Sequence, residues 1–376
     1  MKPINVLQFI CPAGMFGAEM WLLALAKHLS SERVDCQLAI THESPTQNIE
    51  IFHRFRDLGL GAHKFTTNGR FDPRGIMRLV RLIRELNIDI IHSHGYKSDI
   101  IGLIAARLAG IRSLATPHGF ENVNDFKLQA FIKLGCFALR FFDCISPLSK
   151  ELQMDMKRIG VSNHRISIIQ NGVDLSEIEA ERKIVEPEEI EKDGPISIGY
   201  VGQLSHRKNI DAMLNAFDLL HRKHPNTQLI LVGEGPLSED LKNRAKALAS
   251  GENIEFMGYR KDRLSIVRNL DIFCMTSSLE GIPRCMMEAM GLEVPVAAFD
   301  IPGVDQLIIN GKTGLLAPFG DVEALVSCWE HLLTDEEYGK RIATAGRQHI
   351  LDHFSAQRMA GEYEQLYDRL MNSRKR

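Results

Sequence analysis

Apolar positions in this chain gather into short runs separated by glycine-rich or polar loops, and the runs alternate with segments of helical period. Ile4–Ile10 is such a run. A mostly apolar stretch of that length reads as a strand buried on both faces of a parallel sheet. A glycine-containing loop follows, then a helix from about Glu19 to Leu29. Cys36–Thr41, Ile88–His92, Arg112–Thr116, Phe142–Ser146 and Ile166–Ile169 predict further strands with helices between them. Residues 175–194 break the rhythm: the segment is dense in Glu, contains Pro187 and ends at Asp193-Gly194-Pro195. It reads as a surface linker. A second series then begins, with strands expected at Ile196–Val201, Gln228–Val232, Ile254–Phe256, Ile272–Met275 and Val294–Phe299.

Such alternation predicts an α/β protein of two doubly wound parallel-sheet (Rossmann-like) domains facing a cleft. The expected boundaries are residues 1–175, a linker over 176–194, and a second domain over 195–355. The final helix, Ala356–Met371 within residues 356–376, is expected to pack back on the first domain. The 376 residues are enough for two cores.

With 44% hydrophobic and 25% charged residues, the composition is that of a folded soluble protein. A net charge of −3 gives no general attraction to nucleic acid. The seven cysteines include no Cys-x-x-Cys pair and read as reduced thiols of a cytoplasmic protein. Gly14, Gly17 and Glu19 interrupt the N-terminal apolar run, which argues against a signal peptide. No window offers the ~20 apolar residues of a membrane span; Phe131–Phe142, the nearest, contains Lys133 and Arg140.

The chemistry concentrates near Glu280-Gly281-Ile282-Pro283, with Glu288 eight positions on. Gly281 permits close backbone approach to a ligand, and Pro283 suits the first turn of a helix. Two carboxylates there could grip different hydroxyls of one polar ligand. Gly14-Met15-Phe16-Gly17-Ala18-Glu19 opens the first helix, either as a cradle for phosphate or sugar or as a tight turn with Glu19 as a first-turn charge. Gly199–Leu204, followed by Arg207 and Lys208, opens the second domain similarly, and Lys208 could meet a diphosphate. Gly233-Glu234-Gly235-Pro236 lacks the third glycine of a dinucleotide fingerprint.

His118 follows a strand, and His92 and His94 end another. Imidazoles there could bond a sugar hydroxyl or serve as structural histidines; zinc-type ligand spacing is missing. Asn171-Gly172-Val173-Asp174 is a turn signal, and Cys285 reads as a small buried residue. Arg74, Arg78, Arg81 and Arg84 share one stripe of a helix whose other side carries Ile76, Leu79, Ile83 and Leu86. That stripe is a solvated face or a contact for an anionic membrane surface. Phe126, Phe131, Phe137, Phe141 and Phe142, mixed with Lys127, Lys133 and Arg140, read as core packing or as a lipid-facing segment.

Taken in order, these segments resemble a retaining glycosyltransferase of family 4 with the GT-B fold. The Glu280-to-Glu288 pair, Glu288-Ala289-Met290 and Pro295-Val296 carry the resemblance furthest. It implies that the C-terminal domain binds a UDP- or GDP-sugar without a metal or other cofactor. It further implies that Glu280, Lys208 and His118 act at the reacting sugar and its diphosphate. Glu288 would hold the ribose; Gly281, Ile282, Pro283 and Arg284 would offer backbone N–H groups. Gly17, Gln203, Arg207 and Tyr259 complete the expected donor site, with His94 towards the acceptor. The acceptor would be a lipid-linked or polysaccharide glycan of the cell envelope, at the inner face of the membrane. Gln203, Glu293 and Gln306 depart from the family's usual Arg, Gly and Glu. A sugar-nucleotide isomerase or hydrolase of the same fold, and a binding protein with weakened catalysis, are the competing readings.

Overall fold

The computed structural model describes residues 2–12, 14–67, 72–118, 126–183 and 194–373. The chain divides into two compact units, Met1–Gly172 with Ala356–Arg376, and Val173–Ser355. In the first, the elements are β1 (Ile4–Ile10), α1 (Gly17–His28), β2 (Val34–His42), α2 (Glu50–Asp57), β3 (Gly61–Thr66), α3 (Pro73–Glu85), β4 (Ile90–His94), α4 (Tyr96–Ala109), β5 (Arg112–Ala115), α5 (Phe126–Leu139), β6 (Cys144–Ile145) and α6 (Lys150–Arg158). The second holds α7 (Leu175–Lys183), β7 (Ile196–Val201), α8 (Ile210–Lys223), β8 (Thr227–Val232), α9 (Ser238–Lys246), β9 (Ile254–Gly258), α10 (Arg263–Arg268), β10 (Ile272–Met275), α11 (Arg284–Gly291), β11 (Val296–Asp300), β12 (Leu315–Pro318), α12 (Val322–Thr334) and α13 (Glu336–His353). The chain then returns to the first unit as α14 (Ala356–Asn372).

Each unit contains one six-stranded sheet, ordered β3-β2-β1-β4-β5-β6 in the first and β12-β11-β10-β7-β8-β9 in the second. Every strand pairing is parallel. Counted from its own first strand, the second sheet repeats the order of the first. The strand order reverses between β1 and β4 and between β7 and β10. In doubly wound sheets a ligand crevice opens at the carboxyl ends of such a pair, because the following loops diverge to opposite faces.

Side-chain alternation along β1 sorts its residues between two cores. Leu7 and Phe9 pack with Leu79, Ile83, Ile101 and Ala105 of α3 and α4. Val6 and Ile10 face Trp21 and Leu22 of α1 and Tyr363 and Tyr367 of α14. Gln8 lies between Val6 and Ile10 on that second face, wholly buried. Arg33 pins α14 through Glu364 at 3.0 Å and through Asp368. Arg358 donates to the carbonyls of Gln170 and Asn171 at 2.7 and 3.0 Å.

Several expectations need correction. Leu175–Lys183 is a helix with Ile178 buried, not linker, and Gly291 lies so close that a Cβ there would meet Ile178 at 2.8 Å. Residues 184–193 lie outside the described residues. Ile166–Ile169 is not a strand; Ile166 makes a single bridge to Ile145. The edge strands β3 and β12 were not foreseen. Pro283 is the cap residue before α11, one position earlier than its expected first turn.

Candidate functional site

In the second unit, the loops after β7 and β10 are stitched together at the switch point. Thr276 Oγ1 donates to the carbonyls of Lys208 and Asn209 at 3.2 and 2.9 Å. The Ser278 N–H donates to the Arg207 carbonyl at 2.9 Å. These bonds seat Lys208, which ends a single 3-10 turn, beside Glu280. Lys208 Nζ and Glu280 Oε1 stand 2.5 Å apart, and both residues are buried. Two opposite charges taken out of water cost several kcal/mol each unless paired. Here each holds the other at the crevice.

Glycine packs the floor of this crevice. Gly303 has φ of 94°, and a Cβ on it would fall 1.8 Å from the Gly281 carbonyl oxygen. A side chain there would push the Glu280-Gly281 backbone out of place. Gly233 has φ of 132°, and its Cβ would lie 1.9 Å from the Gly202 carbonyl oxygen. Ile282 and Pro283 are buried, and α11 starts at Arg284. The first N–H groups of α11 face forward without intrahelical acceptors, as at any helix start.

Glu288 sits one turn into α11 between two arginines. Its Oε1 accepts from Arg284 Nε at 2.8 Å and Arg263 Nη2 at 2.9 Å; Arg263 Nε reaches Oε2 at 3.3 Å. Burial pushes the Glu288 carboxyl up, but the Arg284 and Arg263 guanidiniums outweigh it and hold it below the ordinary carboxylate range. Arg263 was not anticipated: it stands 25 residues before Glu288, outside any motif, and only packing of α10 on α11 brings it there.

Gln203 and Arg207 are exposed on the loop after β7 that carries Lys208, and Tyr259 is 64% exposed just after β9. Nearby, Leu204, Gly233, Glu234, Phe256, Met257 and Gly258 line a cavity of about 690 Å³ at the carboxyl ends of β7, β8 and β9. Cys285, expected to be buried, is half-buried, and desolvation pushes its thiol up to about 12. Glu293 takes the left-handed conformation, φ 66°, that explains the family's usual glycine. Its carboxylate points elsewhere, to Arg182 at 2.8 Å and Thr344 at 2.7 Å, tying α7 to α13. Gln306 lies near Gly303-Val304-Asp305, where the Gly303 N–H donates to Asp305 at 2.9 Å.

In the first unit, Gly17 is the first residue of α1, and a Cβ on it would meet nothing within 4 Å. Glu19 accepts from the Phe16 N–H at 3.1 Å, so it acts as the first-turn charge. His118 is half-buried and packs edge-on to Trp21, with ring centroids 5.1 Å apart. Desolvation lowers its pKa to about 4 and holds His92 and His94 well below the ordinary value. Gly119, its neighbour in sequence, lies outside the described residues.

His94 was expected to meet the acceptor, but it is 2% exposed. Its Nε2 bonds Gln8 Oε1 at 2.9 Å and its Nδ1 bonds His118 Nε2 at 3.3 Å. Both ring nitrogens are therefore occupied inside the protein. The residue does border a cavity of about 640 Å³, whose wall includes Cys11, Glu43, Gln47, Tyr96, Lys97 and Phe131. Among the described residues, no group of three or more His, Cys, Asp or Glu side chains is disposed to hold a metal ion.

The arginine stripe forms as expected on α3, with Arg74, Arg78, Arg81 and Arg84 exposed and Leu79 and Ile83 buried. Two of the four are engaged locally. Arg78 donates to the Thr66 carbonyl, and Arg84 to that of Leu108 at 3.2 Å. The phenylalanines divide: Phe142 is wholly buried and Phe131 half-buried, whereas Phe137 and Phe141 are exposed, with Arg140 over the Phe137 ring. The side chains of Phe126 and Lys127 lie outside the described residues. Asn171 and Asp174 serve as turn residues, accepting from the Gly172 and Ser176 N–H groups. No helix among the described residues is long and apolar enough to cross a membrane.

Comparison with known proteins places this geometry. Residues 16–177 match the profile described as Glycosyltransferase Family 4, and residues 181–349 that described as Glycosyl transferases group 1. The chain is 28% identical over 314 residues to an Escherichia coli UDP-Gal:alpha-D-GlcNAc-diphosphoundecaprenol alpha-1,3-galactosyltransferase, covering 79% of each. It is 24% identical over 312 residues to the Staphylococcus aureus capsular polysaccharide biosynthesis glycosyltransferase CapM, covering 79% of this chain and 81% of CapM. Among solved structures, Anabaena HepE in complex with UDP superposes with a TM-score of 0.82 at 18% identity, over 97% of this chain and all of that one. The two profiles together span most of the molecule, and the paired Rossmann-like sheets carry the matching fold: the chain belongs to the family 4 glycosyltransferases and has the GT-B fold.

Proposed function

We propose that this protein transfers a sugar from a nucleoside diphosphate sugar to a lipid-linked or polysaccharide acceptor in cell-envelope glycan synthesis, with retention at the anomeric carbon and without a metal ion. The observation that carries the reading is the buried Lys208–Glu280 pair at the switch point of the second sheet. Breaking a glycosyl–phosphate bond builds negative charge on the departing diphosphate and positive charge on the sugar. Lys208, with exposed Arg207 beside it, would meet the first charge, and the free N–H groups starting α11 would add to it. Glu280, freed from Lys208 by the incoming diphosphate, would hold sugar hydroxyls. Glu288, kept ionised by Arg263 and Arg284, would accept from the ribose hydroxyls. The cavity beside Gly258 is of a size and polarity to take the base. A uridine donor is the first choice, since the E. coli relative is named for UDP-Gal and HepE was solved with UDP-glucose. The acceptor class follows from the named acceptor of that relative and the named capsular role of CapM. Peripheral contact with an anionic membrane surface, through Arg74, Arg78, Arg81 and Arg84, would bring the enzyme to such acceptors.

The test is transfer from a panel of UDP- and GDP-sugars, with and without polyprenyl-diphosphate-linked saccharides, in the presence of excess chelator. Acceptor-dependent product with the donor's anomeric configuration is expected, undiminished by chelator. Free hydrolysed or epimerised sugar as the main product would sink the transferase reading. Loss of transfer under chelator would sink metal independence alone. Flotation with anionic vesicles reads the membrane contact: glutamate at Arg74, Arg78 and Arg81 should abolish it.

A further inference from the structure

Behind His118 runs a buried chain of hydrogen bonds that ends on α14. His118 Nε2 meets His94 Nδ1 at 3.3 Å, and His94 Nε2 meets Gln8 Oε1 at 2.9 Å. Gln8 Nε2 donates to the Tyr367 hydroxyl at 3.1 Å, and that hydroxyl meets His92 Nδ1 at 2.9 Å. His92 Nε2 continues to Thr116 Oγ1 at 2.7 Å, and Thr116 to the Tyr363 hydroxyl at 3.0 Å. Gln8, His92, Thr116, Tyr363 and Tyr367 are each 0% exposed. Such a chain has a direction, because a carboxamide oxygen only accepts and a neutral imidazole carries one proton.

With Gln8 Nε2 spent on Tyr367, its Oε1 faces His94, so His94 Nε2 must carry the proton. His94 Nδ1 is then bare and accepts from His118 Nε2–H. Burial keeps both rings neutral near pH 7. His118 therefore keeps its proton on Nε2 and presents a bare Nδ1, able to accept a hydrogen bond from a hydroxyl. Trp21 packs against both rings, at 5.3 Å from His94 and 5.1 Å from His118, and holds their planes.

We propose that His94 is a positioning residue: together with Gln8 and Tyr367 it fixes the tautomer and orientation of His118, so that Nδ1 is left without a proton and can accept from a sugar hydroxyl. The inference rests on the glycosyltransferase reading for its substrate, but not for the tautomer. It also accounts for a residue that the acceptor role does not fit, and for two tyrosines that α14 brings to the first sheet from the far end of the chain.

The experiment is long-range proton–nitrogen correlation NMR on the full-length protein labelled at histidine, without donor. His118 protonated on Nε2 is the expected result; a proton on Nδ1 in the wild type overturns the proposal. Two variants then separate positioning from packing. His94→Asn places an amide oxygen near the Nδ1 position and keeps the acceptor for His118. His94→Gln fills the site and reaches Gln8, but leaves His118 unbonded. Mixed His118 tautomers and a kcat reduced about tenfold or more, with donor KM within about twofold, are expected for His94→Gln. His94→Asn should recover most of kcat, and Tyr367→Phe should resemble His94→Gln in its spectrum. Equal losses in the Asn and Gln variants, or an unchanged tautomer in His94→Gln, would overturn it. If no donor supports transfer at all, the spectra still decide the tautomer, so failure of the two readings is distinguishable.

Discussion

At the scale of single residues, the central fact is that Lys208 and Glu280 are bonded to each other, not merely near each other. Removing one leaves a buried charge alone, which costs about 3–5 kcal/mol. Lys208→Ala and Glu280→Ala should each lower turnover by about 10²-fold or more. Both should also lower the denaturant midpoint, and the double variant should cost less stability than the sum of the two. Turnover well below the melting temperature, together with urea unfolding, reads both effects; near-normal rates in both single variants would contradict the assigned site. Gly17 makes the opposite case. Its missing Cβ faces open space, so the protein's own packing does not demand glycine there. Gly17→Ala should leave the melting temperature unchanged or slightly higher, since alanine favours helix by ~1 kcal/mol. Donor KM should nevertheless rise several-fold if the space is kept for the donor. An unchanged KM would assign Gly17 to the turn alone.

Among the elements, α14 matters most to the first unit. It supplies Tyr363 and Tyr367 to the buried polar layer and is clamped by Arg33 and Arg358. That layer makes a pH prediction. His92, His94 and His118 are held neutral by burial, below their ordinary value of 6.5, His118 at about 4. An unfolded chain takes up protons on these rings as the pH falls below about 6.5, while the folded one does not. Stability from the neutral rings is therefore full above that pH and is lost progressively towards pH 4. Unfolding midpoints measured from pH 7.5 to 5 should fall across that window, before most carboxylates titrate. A flat profile would show that the rings are not held neutral. Legibility at this scale follows burial. Central strands β1, β7 and β10 are mostly apolar and were foreseen, as was β4, whose two isoleucines precede His92-Ser93-His94. Edge strand β3 was not, because an edge strand is only half covered and its sequence need not be apolar, and β12 was missed because its apolar run is only four residues long and ends in Pro318. β6, another edge, shrinks to two residues.

On the scale of the whole molecule, two sheets with one strand order give two sets of loops at two switch points. A ligand that binds the folded second unit stabilises it by mass action, about 2.7 kcal/mol at a hundredfold excess over Kd. UDP or UDP-sugar should raise the melting temperature by a few degrees, and Glu288→Gln should abolish much of that rise. No shift with any uridine or guanosine diphosphate sugar would refute the donor site. The sequence by itself determined the alternation of strand and helix, the glycine loops and the Glu280–Glu288 spacing, because these depend on local period and backbone freedom. The helix of residues 175–183 escaped that reading, since only packing against α10 and α11 gives its glutamate-rich sequence a buried side. Tertiary structure alone decided which charges meet. Arg263 reaches Glu288 across two helices, Glu293 turns away to Arg182 and Thr344, and Tyr367 meets Gln8 359 residues apart. Burial makes the Arg263–Glu288 and Tyr367–Gln8 pairings obligatory, and no local pattern encodes a partner so distant along the chain.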